Sequence, residues 1–509
     1  MESYDLLVIG GGINGAGIAR DAAGRGLKVL LCEKDDLAAH TSSASTKLIH
    51  GGLRYLEYYE FSLVRKALQE REGLLDAAPH IMWPLRFVMP HDAEQRPAWL
   101  IRCGLFLYDH LARRRRLPGS ERIRFERHPA GSPLQPRYHQ GFVYSDGWVN
   151  DARLVVLNAM DAAERGASIR TRTACVAAQR DGDGWLCTLH GEHGQQQVRA
   201  RALVNAGGPW VQQLLGGVIH APARKAIRLV KGSHIIVKKL FDHDFAYIFQ
   251  NPDKRIIFAI PYEQDFTLIG TTDVEYHDDA AKVAIDRDEI AYLCAMSNRY
   301  FERQIGPADV VATYSGVRPL LDDEHDNASG VTRDYALELD SDGAPLLSVF
   351  GGKITTYRKL AEQAVDQLAP LLGNTRPSWT AGQHLPGGDL PGSNFDTFVR
   401  SLQQARPWLP PALATRLARA YGSRVDALLG TAANLAALGA EIQPGLYEAE
   451  LRYLVDKEWA TCADDVLWRR SKLRLHLPAG AEAAVERWLA AYRSSQPAGS
   501  MRETQAHQG

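Results

Sequence analysis

The N-terminal stretch Tyr4–Glu33, YDLLVIGGGINGAGIARDAAGRGLKVLLCE, predicts a βαβ unit. A short apolar run ends at three glycines, an Ala- and Gly-rich helical segment follows to about Gly26, and a second apolar run follows that. Gly10, Gly12 and Gly15 keep the G-x-G-x-x-G spacing, which permits a tight turn, close approach of backbone to a diphosphate, and close packing of helix on strand. In this context the glycines predict a dinucleotide site rather than an ordinary turn.

Glu33 closes the second apolar run, at the distance expected for an acid that accepts a hydrogen bond from a ribose 2′-hydroxyl. A carboxylate there would repel a 2′-phosphate, so FAD or NAD is favoured over NADP. The adenosine half is the same in FAD and NAD, and the βαβ unit alone does not separate them.

Three further stretches bear on the rest of the cofactor: Thr41–Tyr55 (TSSASTKLIHGGLRY), Val204–Trp210 (VNAGGPW) and Phe350–Arg358 (FGGKITTYR). The first combines hydroxyls, a cation and a double glycine, which suit diphosphate oxygens and close approach to a flat ring. The last places glycines and hydroxyls at a helix start, where backbone N–H groups and the helix dipole could stabilise an anionic reduced flavin.

Together these stretches resemble the glutathione-reductase-like flavoprotein superfamily, on its amino-acid-oxidase side. Within it the sequence is similar to the aerobic, FAD-dependent glycerol-3-phosphate dehydrogenases. The similarity spans essentially the whole chain and includes Ile269–Tyr276 (IGTTDVEY) and Glu448–Arg470 (EAELRYLVDKEWATCADDVLWRR).

The resemblance implies an α/β plus α fold, in which a Rossmann-like FAD-binding domain is interleaved with a mixed β-sheet substrate domain and followed by a helical C-terminal cap. We assign residues 1–80, 145–225 and 331–380 to the FAD-binding domain, and 81–144 and 226–330 to the substrate-binding, membrane-facing domain. Residues 386–495 form the helical cap, and 496–509 a disordered tail.

The resemblance also implies the residues that contact FAD. They are the glycine-turn residues and the polar or glycine positions of the three stretches: Gly10, Gly12, Asn14, Gly15, Glu33, Thr41, Ser42, Ser45, Lys47, His50, Gly51, Gly52, Ala206, Gly207, Gly352, Lys353, Ile354 and Thr355.

The implied substrate, glycerol 3-phosphate, needs cationic donors for its phosphate and a base near the hydroxyl at C2. By resemblance, Arg54 and Arg318 bind the phosphate with Tyr55 assisting, and His234 and Arg333 flank the reacting carbon. Thr271 and Lys353 complete the polar lining. His234 is the preferred base because its unperturbed pKa lies near neutrality, and hydride then passes from C2 to N5 of FAD. Asp273 is interpreted as a turn-stabilising acid.

Composition excludes several classes of protein. The net charge of −1 argues against a general nucleic-acid binder, and the six cysteines form no Cys-x-x-Cys pair or iron–sulfur spacing. No metal site is expected, and nothing in the chain would carry electrons onward from the flavin. An external acceptor is therefore implied, and by resemblance it is a membrane quinone.

Residues 99–127 fit that acceptor. The apolar run Trp99–Tyr108 leads into residues 113–127, where seven arginines against two glutamates give +5. An apolar segment beside a basic cluster suits an anionic leaflet, although a core helix followed by a solvated loop is the commoner source of such a pattern. With no signal segment and no run of about 18 apolar residues, we expect a cytoplasmic protein peripherally attached to the inner face of the cell membrane, as a homodimer.

Three alternatives remain. A glycerol-3-phosphate oxidase would share fold and substrate but pass electrons to oxygen and release peroxide. A flavoenzyme acting on amino acids or amines would bind a carboxylate instead of a phosphate. A non-catalytic flavin- or nucleotide-binding protein would bind flavin without turnover.

Overall fold

A computed structural model describes residues 1–92, 96–192, 194–251, 253, 255–322 and 334–495. Arg333 and the predicted tail 496–509 lie outside the described residues.

The strands within those residues are β1 (Glu2–Ile9), β2 (Val29–Cys32), β3 (Leu48–Ile49), β4 (Met82–His91), β5 (Glu121–Arg124), β6 (Gln140–Val149), β7 (Ser168–Arg170), β8 (Ala174–Asp181), β9 (Gly184–Gly191), β10 (Gly194–Asn205), β11 (Ile227–Lys238), β12 (Ala246–Gln250), β13 (Ile256–Tyr262), β14 (Phe266–Gly270), β15 (Val274–Glu275), β16 (Val310–Leu321), β17 (Tyr335–Asp340), β18 (Leu346–Gly351), β19 (Glu441–Gln443) and β20 (Leu446–Tyr447).

The α-helices are α1 (Ile13–Gly24), α2 (Phe61–Ala77), α3 (Ala98–His110), α4 (Asp151–Glu164), α5 (Val211–Leu214), α6 (Arg287–Asn298), α7 (Tyr357–Leu368), α8 (Phe395–Ala405), α9 (Pro411–Tyr421), α10 (Val425–Leu429), α11 (Glu448–Glu458) and α12 (Ala481–Ser495). Asp465–Arg470 forms a π-helical turn between α11 and α12.

The first sheet is built on the predicted βαβ unit. Its order is β17-β18-β10-β1-β2-β7, with β9 added to β10 and β8 to β9. The central strands β18, β10, β1, β2 and β7 run parallel. Leu6, Leu7 and Val8 are fully buried because both faces of a parallel sheet are covered, which is why β1 reads as an unbroken apolar run.

The second sheet is mixed, with the order β15-β11-β14-β13-β12-β4-β6-β3; β16 pairs with β11 and β5 with β6. Most pairs are antiparallel, and β12 with β4 is parallel. The chain passes between the two sheets repeatedly, so both sheets contribute walls to the space between them.

The C-terminal region shares a hydrophobic core with the first sheet. Leu6 of β1 and Leu360 of α7 belong to the same buried cluster as Leu417 of α9, Leu451 of α11 and Val485 of α12. This helical region is therefore packed on the cofactor-binding half and is not a separate globule.

The predicted fold class is confirmed: a largely parallel sheet, a mixed sheet interleaved with it, and a helical C-terminal region. Residues 60–78, an amphipathic stretch of the sequence, contain α2. The domain boundaries stay a prediction. The predicted break between residues 144 and 145 falls inside β6, and β3 pairs with the second sheet although it lies in the 1–80 segment.

Candidate active site

A cavity of about 1020 Å³ lies between the two sheets. Its walls come from the ends of β1, β2, β10 and β18, from the segment 38–55, and from β11, β16 and the turn after β14. This volume is at the upper end of ordinary ligand sites and suits an extended ligand with a second molecule beside it.

The glycine turn after β1 is shaped for close approach of a ligand. Gly10 has φ +110°, and a Cβ there would lie 2.5 Å from the carbonyl oxygen of Ala206. A Cβ on Gly15 would overlap the carbonyl oxygen of Gly10. Gly15 therefore serves the packing of α1 on the turn and does not line the cavity, whereas Gly10 and Gly12 do.

Glu33 lies at one end of the cavity, where its carboxylate binds backbone. It accepts hydrogen bonds from the N–H of Gly11 at 2.6 Å and from the N–H of Asp35 at 2.8 Å. Burial raises the pKa of this carboxyl. Each oxygen keeps a second acceptor position, so a ribose hydroxyl can still bind there. We call this part of the cavity the Glu33 end.

The start of α1 fits a diphosphate. Gly12 gives the helix no side-chain cap, and the N–H of Ile13 donates to Ser42 Oγ at 3.0 Å. Asn14 donates to the carbonyl of Gly351 at 3.2 Å, while its buried Oδ1 has no hydrogen-bond partner among the described residues. Together with the glycine turn and Glu33, this helix start matches the ADP portion of FAD.

Most of the predicted FAD contacts line this cavity. They are Gly10, Gly12, Asn14, Glu33, Thr41, Ser42, Ser45, His50, Gly52, Ala206, Gly207, Gly352, Lys353, Ile354 and Thr355. The other three, Gly15, Lys47 and Gly51, lie behind its wall.

Lys47 was expected to face the cofactor, but its side chain is buried in the protein. Its Nζ donates to Asp151 at 2.7 Å and to the carbonyl of Ser43 at 2.7 Å, and burial lowers its pKa. Asp151 also accepts from the hydroxyl of Ser45 at 2.7 Å. Lys47 therefore fixes the segment 43–47 from behind.

Gly51 also turns away from the ligand space. A Cβ there would lie 2.5 Å from Leu68, and its N–H donates to the hydroxyl of Tyr108 at 2.8 Å. In this structure Gly51 packs against α2 and α3, and its contact with the cofactor stays a prediction.

The substrate candidates Arg54, Tyr55, Thr271, Arg318 and Lys353 also line the cavity. Arg54 lines it, and the described part of the chain offers its guanidinium neither an ion pair nor a hydrogen bond. Lys353 also lines it, with Nζ 4.0 Å from the ring centroid of Tyr55. This wall therefore carries two cations and one phenol. Arg54 and Tyr55 were predicted to bind the phosphate, and Lys353 was predicted to complete the polar lining.

Arg318 lines the cavity but already has an anionic partner. It forms an ion pair with Asp273 and donates to Thr271 Oγ1 at 3.1 Å. Gly232 makes room for this arrangement, because a Cβ there would lie 2.5 Å from the guanidinium. Asp273 was interpreted as a turn acid; it is instead the partner of a cavity-lining arginine.

His234 differs most from expectation. It is fully buried, does not line the cavity, and stacks on Tyr314 with ring centroids 4.6 Å apart. Burial, with Lys47 and Arg318 nearby, holds its pKa well below the ordinary value, so the near-neutral pKa of a free imidazole no longer supports its choice as base. Its Nε2 lies 3.0 Å from Thr46 Oγ1, and Thr46 does line the cavity.

Sequence reasoning missed several wall residues. Thr46 lies within the quoted 41–55 segment and was overlooked between Ser45 and Lys47. Trp210 also lines the cavity, with Lys34 Nζ 4.4 Å from its ring centroid and His40 packed edge-on at 4.7 Å. Its position at the end of VNAGGPW was the available signal.

The surface around α3 is apolar and exposed. Trp99, Leu100, Phe106 and Leu107 are 68%, 41%, 56% and 44% exposed. We call these four residues the α3 patch. In the adjoining basic stretch, Arg114 pairs with Asp109, and Arg115 and Arg116 pair with Asp76, so part of its charge is neutralised. Within the described residues, every helix is too short or too polar to span a bilayer.

Comparisons with known proteins place this geometry in a family. Residues 5–358 match the family described as FAD dependent oxidoreductase, and residues 378–494 match the C-terminal domain of alpha-glycerophosphate oxidase. The chain is 53% identical over 490 residues to D-erythritol 1-phosphate dehydrogenase of Brucella abortus, covering 96% of this chain and 98% of the relative. It is 52% identical over 496 residues to aerobic glycerol-3-phosphate dehydrogenase of Escherichia coli, covering 97% and 98%.

A solved structure of a named dehydrogenase has a similar fold. Glycerol-3-phosphate dehydrogenase from Bacillus halodurans, complexed with FAD, superposes with a TM-score of 0.78 at 28% identity, covering 97% of this chain and 92% of that one.

Proposed function

The chain belongs to the FAD-dependent oxidoreductase family and uses FAD, and we propose that it oxidises sn-glycerol 3-phosphate to dihydroxyacetone phosphate. The predicted family resemblance, cofactor and enzyme class are confirmed. The names of the relatives support a polyol phosphate as substrate, and the cationic side chains Arg54 and Lys353 in the cavity wall support a phosphate.

The position of Arg54 in the cavity wall is the main support for the proposal. A guanidinium on a cavity wall, without an anion among the described residues, is poised for an anionic ligand. Phosphate is the anion that a forked guanidinium binds best, in bidentate geometry. Lys353 and Tyr55 add a second cation and a hydroxyl on the same wall. A carboxylate substrate would use less of this charge, which weighs against the amino-acid or amine alternative.

Arg318 has a different role in this scheme from the one predicted. Because Asp273 balances its charge, the pair is a weaker phosphate site than Arg54 but a good site for hydroxyls, with donors on one partner and acceptors on the other. Thr271 adds a hydroxyl to the pair. The pair orients the carbinol end of the substrate while Arg54 holds the phosphate.

When bound, FAD supplies the hydride acceptor at N5. The protein must remove the proton of the C2 hydroxyl. Burial keeps His234 neutral, so its ring can accept that proton through the hydroxyl of Thr46. Its low basicity means that proton transfer must accompany loss of the hydride rather than precede it. Arg333 stays a predicted residue near the reacting carbon.

D-erythritol 1-phosphate is a second candidate substrate, since one relative at 53% identity acts on it by name. It carries one more hydroxyl-bearing carbon than glycerol 3-phosphate. The cavity lining also includes the polar side chains His277 and Asp278, which could bind an added hydroxyl. Glycerol 3-phosphate is preferred because the substrate motifs found in the sequence resemble those of its dehydrogenases.

Steady-state kinetics with a soluble dye acceptor separate these substrates. We expect kcat/KM for glycerol 3-phosphate to exceed that for D-erythritol 1-phosphate by at least about tenfold, which one or two added or lost contacts provide. Glycerol, which lacks the phosphate, should give no measurable turnover. A preference for the four-carbon phosphate would transfer the proposal to that substrate, and turnover of glycerol would remove the role of Arg54.

The proposed electron acceptor is a membrane quinone. The α3 patch supports it, because exposed Trp, Leu and Phe side chains beside arginines match the composition of helices that lie in an anionic lipid interface. An oxidase passing electrons to oxygen has no need of such a surface. We further propose that the protein attaches to the inner face of the cell membrane and forms a homodimer. Sedimentation of the purified protein tests for the homodimer.

A further inference from the structure

The C-terminal segment Glu458–Arg470 packs against the cavity from outside. No described residue after Thr355 lines the cavity, so this segment has no direct contact with a ligand there. It nevertheless binds the two loops that form the Glu33 end, through side chains that are almost completely buried. We call Glu458–Arg470 the outer brace.

The strongest contact joins Arg470 to Asp36. Two guanidinium nitrogens of Arg470 donate to the two carboxylate oxygens of Asp36, at 2.6 and 2.8 Å, and Arg469 donates to Asp36 at 2.7 Å. Arg470 is 1% exposed and Asp36 2%. A bidentate pair in this environment is strong and directional.

Asp36 connects its contact with Arg470 to the ligand-binding cavity. It lies three residues after Glu33, in the loop whose members Lys34, Ala38, Ala39, His40 and Thr41 line the cavity. The loop is tied back to the glycine turn, because the N–H of Ala38 donates to the carbonyl of Gly11 at 3.2 Å. Fixing Asp36 therefore also fixes this loop, which forms part of the cavity wall at the Glu33 end.

A second contact holds the neighbouring loop. Asp465 of the outer brace is fully buried and accepts a hydrogen bond from Arg172 at 2.6 Å. The N–H of Arg172 donates to the carbonyl of Asp35 at 2.7 Å, and the N–H of the next residue, Thr173, donates to the carbonyl of Glu33 at 2.7 Å. Thr173 lines the cavity. Both loops at the Glu33 end are thus fixed by the same brace.

The brace is itself anchored on α4. Glu458 forms a fully buried ion pair with Arg153, and its carbonyl accepts from Arg470 at 2.6 Å. The same helix begins at Asp151, which accepts hydrogen bonds from Lys47, behind the cavity wall, and from Ser45, which lines the cavity. One connected set of buried charges therefore spans the C-terminal region and the walls around the cofactor.

We propose that the outer brace positions the adenosine half of FAD and sets how tightly the cofactor is retained. Arg470 and Asp465 are positioning residues: they act through Asp36 and Arg172 on the loops that carry Glu33 and Thr173. The proposal rests on FAD binding alone and is independent of the identity of the substrate.

Binding of FAD to apoprotein, followed by quenching of flavin fluorescence, tests it. In Arg470→Lys, which keeps the charge but loses the bidentate geometry, we expect the Kd for FAD to rise at least about tenfold, since breaking a buried pair costs more than a tenfold change in binding. Release of FAD on dilution should be faster by a similar factor, and activity lost on dilution should return with added FAD.

Arg416→Lys is the matched control. Arg416 forms a bidentate pair with the buried carboxylate of Glu450, at 2.7 and 2.6 Å, and its hydrogen bonds among the described residues lie within the C-terminal region. It should lower thermal stability without changing the Kd for FAD by more than about twofold. Equal FAD affinities in the two variants would overturn the proposal.

Arg172→Gln gives a second test if Arg470→Lys fails to fold. Arg172 is about one-third exposed (32%), so its loss is milder. The Kd for FAD should again rise several-fold, because Asp465 then loses its hold on the loop ahead of Thr173. Unchanged FAD affinity in this variant, with a lowered unfolding temperature, would show that the brace only stabilises the fold.

Discussion

At the scale of single residues, Arg54 should determine binding of the phosphate. In Arg54→Gln we expect the KM for glycerol 3-phosphate to rise roughly 10- to 150-fold, because a charge-assisted hydrogen bond contributes about 1.5–3 kcal/mol. FAD content should stay normal. Arg122→Gln, an exposed arginine on β5, is the control and should leave KM unchanged. An unaltered KM in Arg54→Gln would place the phosphate elsewhere.

Thr46 is the residue on which the proposed proton path depends. Thr46→Val keeps the shape of the side chain but removes the hydroxyl that connects the cavity to His234. The rate of flavin reduction should fall by about 10²–10⁴-fold, the usual contribution of general acid–base catalysis. Thr313→Val, at an exposed position on β16, is the control. A Thr46→Val enzyme with a normal reduction rate would contradict the path.

The same path predicts a pH dependence. The folded-state pKa of His234 is lowered well below 6.5, so the ring is deprotonated at neutral pH and gains a proton only when the pH falls far below that value. The rate of flavin reduction should therefore show no inflection from this group between pH 6 and pH 8. An acid limb centred near pH 6.5 that disappears in His234→Gln would contradict this assignment.

Sequence reasoning identified cavity-lining residues from backbone shape and charge type, but it did not show which side chains are buried in the protein. Gly10, Glu33 and Arg54 line the cavity. Lys47 and His234 belong to equally specific motifs, but their side chains point into the protein, toward Asp151 and Tyr314. The direction in which a side chain points from a turn depends on partners that are distant in sequence, and the local sequence does not contain them.

At the scale of elements, α3 should govern attachment to lipid. Replacing Trp99 and Phe106 by Ser removes two large apolar side chains that are 68% and 56% exposed, and each buried aromatic contributes about 1.5–3 kcal/mol. Sedimentation with anionic vesicles should fall at least about tenfold, with dye-linked activity retained. Val176→Ser, a 41% exposed apolar residue on β8, should not alter sedimentation. Full vesicle binding by the double variant would exclude α3 as the contact.

The contact between the end of α2 and the C-terminal helices contains a titratable group. His80 is fully buried beside Gly387 and Gly422, and neither ring nitrogen has a hydrogen-bond partner among the described residues. Burial, with Arg153 and Arg419 nearby, lowers its pKa to about 3. The unfolded chain, with a pKa near 6.5, therefore binds this proton first as pH falls.

Neutral His80 makes its full contribution to the free energy of unfolding above about pH 6.5. Between that pH and pH 3 the free energy of unfolding falls by about 1.4 kcal/mol per pH unit. His80→Leu should lose less stability than the parent between pH 7.5 and pH 5, as measured by unfolding temperature. His190→Leu, at an exposed position on β9, should follow the parent curve. An identical pH dependence in all three proteins would show that His80 does not control acid unfolding.

At the scale of the whole molecule, the βαβ opening was predictable from its pattern, whereas the interleaved mixed sheet and the helical cap were predictable only from the family resemblance. The shared core of the first sheet and the C-terminal helices was not predictable, nor was the outer brace. Arg470 and Asp36 are 434 residues apart in sequence. Such pairs follow from how the two regions dock, and their spacing in the chain gives no signal.

The most direct test of the account is anaerobic mixing of the purified holoprotein with glycerol 3-phosphate while the flavin absorbance is followed. We predict rapid bleaching with glycerol 3-phosphate, none with glycerol, and recovery of the oxidised spectrum on addition of a quinone analogue. This single result would test the cofactor, the recognition of the phosphate and the electron acceptor together. A flavin that stays oxidised with glycerol 3-phosphate would contradict the proposed substrate, and recovery with oxygen and peroxide release but not with quinone would contradict the proposed acceptor.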